Sequence, residues 1–301
     1  MKKIGVLIVT FNRIELLKEE INSIRNQSYK DFDILVVNNG STDGTSDWLE
    51  TQNDVITITQ ENLGGAGGFH TGIKYLAEKG YEYCWLMDDD VECSPSALEI
   101  MINAAEAVDN LGFLCSRVFG LDGSLMNVPS IETKGREGKY ASWLERIDEK
   151  MIGVKSATFV SVLFPLSHAL NLGLPYKEYF IWGDDIEYTT RISQKYNCYL
   201  VYDSIVIHKR ALVQGLDFMK ETNTIRLKNH FYRLRNGFVN RKKYGNAQDV
   251  VIYLCYQFAL LFKAIIHFDF LRISILLNVL FREMFFAPKL EYPNVHKDKN
   301  I

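Results

Sequence analysis

Tyr83-Cys84-Trp85-Leu86-Met87-Asp88-Asp89-Asp90 is an apolar run that ends in three consecutive carboxylates. Such a run reads as a buried strand that surfaces at its C-terminal end. Three adjacent acids repel one another and cost stability unless something positive sits among them. In α/β sheets the crevice beyond the carboxyl ends of the strands is where ligands bind. Alternate residues leave a strand on the same side, so Asp88 and Asp90 are placed to share one divalent cation against the phosphates of a nucleotide. A solvated acidic turn is the plain alternative, and the surrounding sequence has to decide between them.

The flanking elements frame that strand. Residues 4–9 read as a buried first strand, followed by Thr10-Phe11-Asn12-Arg13 and an amphipathic helix to about Asn26, with Leu16, Leu17, Ile21 and Ile24 on its apolar side. Residues 32–37 form a second strand that runs into Asn38-Asn39-Gly40-Ser41-Thr42-Asp43-Gly44-Thr45, a turn dense in side chains that bond backbone. A short helix follows, and residues 55–59 alternate like a third strand. Glycine-rich Asn62-Leu63-Gly64-Gly65-Ala66-Gly67-Gly68 reads as a loop before a helix over 69–79, close to a ligand and offering amides to phosphate. Three strand–loop–helix units predict an α/β fold with a mostly parallel central sheet and helices on both faces. Neither GxGxxG after the first strand nor GxxxxGK[ST] is present, which disfavours a dinucleotide-binding enzyme and a P-loop ATPase.

Further along, Pro95 opens a helix to about Asn110, and 113–118 is a strand. Residues 120–140 read as loops near an acceptor, 157–165 as an apolar segment, and 168–174 as a short helix. Two short strands are expected at 198–202 and 204–207. Asp184-Asp185 is a second acidic focus, at the start of a helix carrying Glu187, Tyr188 and Ile192. Helix N-termini tolerate carboxylates, so capping accounts for one of the pair, and the other is placed to act as a general base. His208 follows the last strand, and neutral imidazole suits Mn²⁺.

The 301 residues carry 34 Lys and Arg against 37 Asp and Glu, a formal charge of −3 that gives no footprint for nucleic acid. Five cysteines show no CxxC pair, which predicts reduced thiols in a cytoplasmic protein. The N-terminal apolar run is too short to predict a signal peptide or a span. Residues 209–243 are strongly basic, and 250–286 are apolar but interrupted by Lys263, His267, Asp269, Arg272 and Arg282. Interfacial helices on the inner face of a membrane, a homo-oligomer contact, or a hairpin buried on the rest of the chain all fit; a spanning helix is not expected.

Together, VTFNR (9–13), VVNNGSTDGT (36–45) and the Asp88-Asp89-Asp90 triplet resemble inverting family 2 glycosyltransferases of the GT-A type. ENLGGAGGF (61–69), WGDDIEY (182–188), His208 and HFYRLRN (230–236) look like the galactofuranosyltransferase and rhamnosyltransferase branch. The resemblance implies a GT-A nucleotide-diphospho-sugar transferase domain over 1–208, with a basic and amphipathic helical extension over 209–301 that completes the acceptor side. It implies Mn²⁺ or Mg²⁺ held by Asp88, Asp90 and His208, and Asp185 as catalytic base. Thr10, Phe11, Asn12, Arg13, Asn39, Asn62, Gly64, Gly65, Asp88 and Asp89 would surround the donor, and Trp182 and Asp184 the sugar or acceptor. Many relatives carry Asp where this chain has Asn38 or Asn39, which leaves UDP and dTDP donors both open. The implied activity is metal-dependent inverting transfer of galactofuranose or rhamnose to a glycan or lipid-linked glycan hydroxyl, as in capsule or O-antigen assembly. A metal-dependent sugar-phosphate nucleotidyltransferase and a non-catalytic nucleotide-sugar module are the competing classes.

Overall fold

The computed structural model describes residues 3–131, 133, 142–209 and 217–294. Its first half follows the predicted alternation. Strand β1 (Ile4–Thr10) leads through Phe11–Arg13 into helix α1 (Ile14–Arg25), and β2 (Phe32–Asn38) into the short α2 (Thr45–Glu50). β3 (Val55–Thr59), α3 (Gly64–Glu78) and β4 (Tyr83–Asp88) complete the set. The four strands pair in parallel in the order β3-β2-β1-β4. All their carboxyl ends therefore open onto one edge, with Thr10, Asn38 and Asp88 together there.

The sheet continues beyond β4. β5 (Val91–Cys93), α4 (Ala97–Ala107) and β6 (Leu111–Phe119) follow, then the two-residue strands β7 (Leu125–Met126) and β8 (Ser130–Ile131) within the expected 120–140 loop region. Residues 132 and 134–140 of that region lie outside the described residues. β9 (Met151–Ser156), β10 (Val162–Pro165), α5 (Ser167–Leu172), α6 (Asp184–Ser193) and β11 (Asn197–His208) close the domain. β10 runs antiparallel between β4 and β6, while β6 and β11 resume the parallel direction. The two strands expected at 198–202 and 204–207 are one strand, because β11 absorbs a register shift between Val201 and Ile205 and keeps its pairing with β6.

Strand alternation divides the core into two layers. Val6, Ile8, Val36, Trp85 and Met87 face α1 and α4, against Leu17, Ile21, Leu98 and Met101. Leu7, Val9, Val37, Cys84 and Leu86 face the other way, against Phe69, Ile73 and Leu76 of α3 and Tyr188 and Ile192 of α6. Both faces being covered explains why these strands read as continuous apolar runs.

The helix after β3 starts at Gly64, five residues before the predicted Phe69. The glycines lie inside its first turns because the helix sits close on β1. A Cβ on Gly68 would come within 2.3 Å of Val9 Cγ1, and one on Gly72 within 2.2 Å of Leu7 Cδ1. Gly68 and Gly72 thus serve helix–sheet approach, while Gly64 lies against the Phe180 backbone and Gly65 has open space beside it.

Beyond β11, residues 210–216 of the basic stretch lie outside the described residues. Helices α7 (Thr224–Tyr244), α8 (Ala247–Ile266) and α9 (Phe270–Glu283) pack on one another through Leu227, Leu234, Leu260, Leu276 and Val279. Asn246 caps α8 in a reciprocal box with Asp249. The expectation of no span-length segment does not hold by length and composition. The helix begins upstream of the apolar stretch, and its most apolar 18-residue window has a mean hydropathy of 1.8 with 17% of it buried.

Candidate active site

Register brings the first acidic cluster and the distant histidine together. Asp89 and Asp90 form the turn between β4 and β5, and β5 pairs antiparallel with the end of β11, so that His208 lies opposite Val91. The Lys209 amide donates to Asp90 O at 2.7 Å, which locks this corner. His208 Nε2 then lies 2.9 Å from Asp90 Oδ1. Asn127 Oδ1 sits 2.9 Å from His208 Nδ1, so it accepts a hydrogen bond from that nitrogen and leaves Nε2 directed at the carboxylate. Ligating atoms of Asp88, Asp90 and His208 all fall within 4.8 Å of one another. Carboxylate oxygens plus one imidazole form a donor set that fits Mn²⁺ or Mg²⁺.

The three acids have separate tasks. Asp89 accepts from Thr10 Oγ1 at 2.8 Å and from Arg13 Nη1 at 3.0 Å, and so ties the β1 and β4 ends together. Arg13 Nη1 also reaches Asp90 Oδ2 at 2.8 Å. The positive charge that the triplet demands is therefore supplied partly by the chain itself. Burial raises Asp88 to about 8, helped by repulsion from Asp90. Burial likewise lifts Asp89 to about 6, against the pull of Arg13. Burial would raise Asp90 too, but His208 and Arg13 outweigh it and hold Asp90 below the usual carboxylate range.

The second acidic cluster shares with the first one cavity of about 620 Å³, a volume suited to a small-molecule ligand. Asp88, Asp89, Asp90 and His208 line it together with Trp182, Asp184 and Asp185. Both acids open α6, whose amide dipole favours negative charge there. Burial, then the neighbouring Asp185, pushes Asp184 up to about 8. Burial raises Asp185 to about 6, opposed by the amide of Ile186, which donates to Asp185 Oδ1 at 2.7 Å. Both carboxyls are thus raised, and Asp184 the more strongly of the two.

The remaining predicted residues are placed as follows. Arg13 and Gly65 line the cavity. Thr10 is buried and spends its hydroxyl on Asp89. Phe11 is 42% exposed beside it. Asn12 Oδ1 accepts from the Thr42 amide at 2.7 Å, so Asn12 orders the turn after β2. Asn39 is buried, donates to Gly64 O at 3.0 Å and accepts from Gln60 at 2.7 Å; its amide ties β2 to α3. Asn62 Oδ1 accepts from the Gly64 amide at 2.9 Å. Asn12, Asn39, Asn62 and Gly64 are not among the cavity-lining residues. Phe159, Ile181, Lys209, Arg226 and Asn229 line it without having been singled out from the sequence. Arg226 and Asn229 lie just upstream of the HFYRLRN segment, the one sequence signal pointing to α7.

The Glycosyl transferase family 2 profile matches residues 5–163, from β1 through β10. The chain belongs to glycosyl transferase family 2. An uncharacterized glycosyltransferase of Rickettsia prowazekii is 34% identical over 108 residues, covering 36% of this chain and 33% of that protein. The galactofuranosyltransferase GlfT1 of Mycobacterium tuberculosis is 26% identical over 197 residues, 64% of each chain. The matched segment thus spans less than two thirds of either relative. Among solved structures, S. aureus TarS 1-349 in complex with UDP-GlcNAc superposes with a TM-score of 0.61 at 13% identity, covering 94% of this chain and 81% of that one. That likeness extends the family fold, a GT-A-like mixed α/β sheet, through the C-terminal helices.

Proposed function

We propose that this chain transfers a sugar, galactofuranose or rhamnose, from a UDP or dTDP donor to a glycan or lipid-linked glycan hydroxyl, inverting the anomeric carbon. The observation that carries this reading is a single cavity lined by Asp88, Asp90 and His208 together with Asp185. The similarity to GlfT1 supports a furanose donor, and the neighbours solved with UDP and UDP-GlcNAc support a nucleotide sugar. Asp88, Asp90 and His208 would hold Mn²⁺ or Mg²⁺. When bound, that ion supplies positive charge against the departing diphosphate. Asp185 accepts the proton of the acceptor hydroxyl as its oxygen attacks the face opposite the nucleotide. Trp182, Phe159 and Ile181 exclude water beside the reacting carbon. Asp184, kept protonated, donates a hydrogen bond to a sugar oxygen.

The same proposal assigns the outer face of α8 to a membrane. Ile252, Phe258 and Phe262 are more than half exposed there, and Arg241, Lys242 and Lys243 precede the helix. Flotation with anionic vesicles should carry the full chain and lose it on Phe258→Glu/Phe262→Glu. A chain that sediments alone in both forms removes the membrane assignment.

A donor screen tests the activity. UDP-galactofuranose, UDP-galactopyranose, UDP-glucose and dTDP-rhamnose are each incubated with Mn²⁺ and lipid-linked acceptors, and nucleotide release is read. One donor should turn over, and Asp185→Asn should abolish transfer while retaining nucleotide binding. Full turnover by Asp185→Asn would remove it from the base role, and pyrophosphate release from a nucleoside triphosphate would replace the transferase reading.

A further inference from the structure

Residues 179–183, which deliver Asp184 and Asp185 to the cavity, have a backbone that they would not keep unaided. Phe180 (φ 64°) and Trp182 (φ 62°) are left-handed, as is Gly183 (φ 96°). L-residues with bulky side chains hold such angles only where the surroundings impose them.

Every carbonyl in this loop is taken, and four of the five are taken by α7. Asn236 Nδ2 donates to Tyr179 O at 3.0 Å, Ile181 O at 3.3 Å and Trp182 O at 2.8 Å. Asn240 Nδ2 donates to Gly183 O at 2.9 Å, and its Oδ1 accepts from the Tyr179 hydroxyl at 2.7 Å. The remaining carbonyl, of Phe180, accepts from the Ala66 amide at 3.1 Å. Asn236 is fully buried, and Arg235 fixes which end of its amide faces the loop, donating to Oδ1 from Nε at 3.1 Å and Nη2 at 2.9 Å. Ring contacts follow the same path, with Phe180 stacked on Tyr232 and Trp182 over His230. Asp185, by contrast, receives its hydrogen bond from the next residue's own amide. Its carboxylate is therefore placed by where the helix begins, and that is decided by the loop.

We infer that Asn236 and Asn240 are positioning residues for the base. The aromatic–Arg-Asn segment of α7 sets the geometry of Asp185, which makes the C-terminal helical region part of the reaction apparatus. This rests on the proposed role of Asp185, and the test separates the two.

Hydrogen–deuterium exchange on the full chain needs no substrate. Asn236→Ala should speed exchange about tenfold in a peptide covering 179–187 and leave β4 unchanged. Turnover is then measured with the active donor from the screen of four, and UDP affinity (dTDP affinity if dTDP-rhamnose is the active donor) by calorimetry with Mn²⁺. Asn236→Ala should lower kcat about 100-fold, with KM for the donor and UDP affinity close to wild type. Asn240→Ala, which removes one of the two donors to Gly183 O and the acceptor of the Tyr179 hydroxyl, should fall about tenfold and covers the case in which the first variant does not fold. Asp185→Asn/Asn236→Ala should be no slower than Asp185→Asn alone. Unchanged exchange in the loop peptide of a folded variant, or wild-type kcat in Asn236→Ala beside an inactive Asp185→Asn, overturns the inference. Wild-type turnover by Asp185→Asn defeats the base reading instead, and the exchange result still decides whether α7 holds the loop.

Discussion

Gly64→Ala pushes on the same loop from the opposite side. Gly64 has φ 73°, and a Cβ there would lie 2.0 Å from Phe180 O and 2.6 Å from its carbonyl carbon. Non-bonded carbons rarely approach backbone within 3.0 Å, so the loop has to retreat by about 1 Å or the start of α3 has to move. The left-handed angle costs an alanine about 1–2 kcal/mol wherever the loop goes. If the contact stays clamped, overpacking adds about 1–3 kcal/mol. If the loop yields, that second cost disappears and reappears in catalysis, because a misplacement of about 1 Å can lower the rate about 100-fold. Thermal melting and donor turnover measured on the same preparation read both alternatives. The expected result is a modest loss of melting temperature with a large loss of kcat. A variant with wild-type melting temperature and wild-type kcat would refute the claimed closeness of α3 and the base loop.

Other consequences are simpler to state. Mn²⁺ should raise the melting temperature of the wild-type chain, and Asp90→Asn or His208→Ala should remove that rise; a rise that persists in both would reassign the ion. If Asp185, raised to about 6, is the base as proposed, it acts only when ionised, so kcat/KM should climb about tenfold per pH unit below 6 and level off above it. A flat profile between pH 5 and about 7 would point to another base. Gly72→Ala should destabilise by about 1–3 kcal/mol through Leu7 without changing donor KM, as read by denaturant unfolding and kinetics. Glu187 is fully buried against Arg191 and Lys243, and burial's upward push is outweighed by Arg191, which holds Glu187 below its ordinary 4.5. Its folded pKa is depressed, so its contribution is fully present above about pH 4.5 and fades as pH falls through the folded value. Glu187→Gln should therefore cost about 3–5 kcal/mol near neutrality, with the difference from wild type shrinking in acid.

Much of the fold was legible because its signals are local. The strands at 4–9, 32–37 and 55–59 show in apolar runs bounded by turn residues, and α1 shows in its apolar spacing. The glycines of 64–72 misled about the start of α3, because the same residue type serves a loop, a ligand contact or a close-packed helix. What separates these is the neighbour, here Val9 and Leu7. The apolar length of α8 is masked in the sequence because four of the five interruptions of 250–286 (His267, Asp269, Arg272 and Arg282) lie beyond Ile266, where the helix ends.

By itself the sequence determined the parallel α/β order, both acidic foci and the family to which they belong, since each is written in contiguous residues. The resemblance grouped His208 with Asp90, but only the tertiary structure shows how they meet, because that depends on the pairing of β5 with β11. It also decided that Arg13 pairs with Asp89 and Asp90 of the acid triplet, and that Asn236 reaches carbonyls more than fifty residues earlier in the chain. The physical reason is range: propensity and periodicity act over a few residues, whereas these contacts are set by sheet register and helix packing between distant segments.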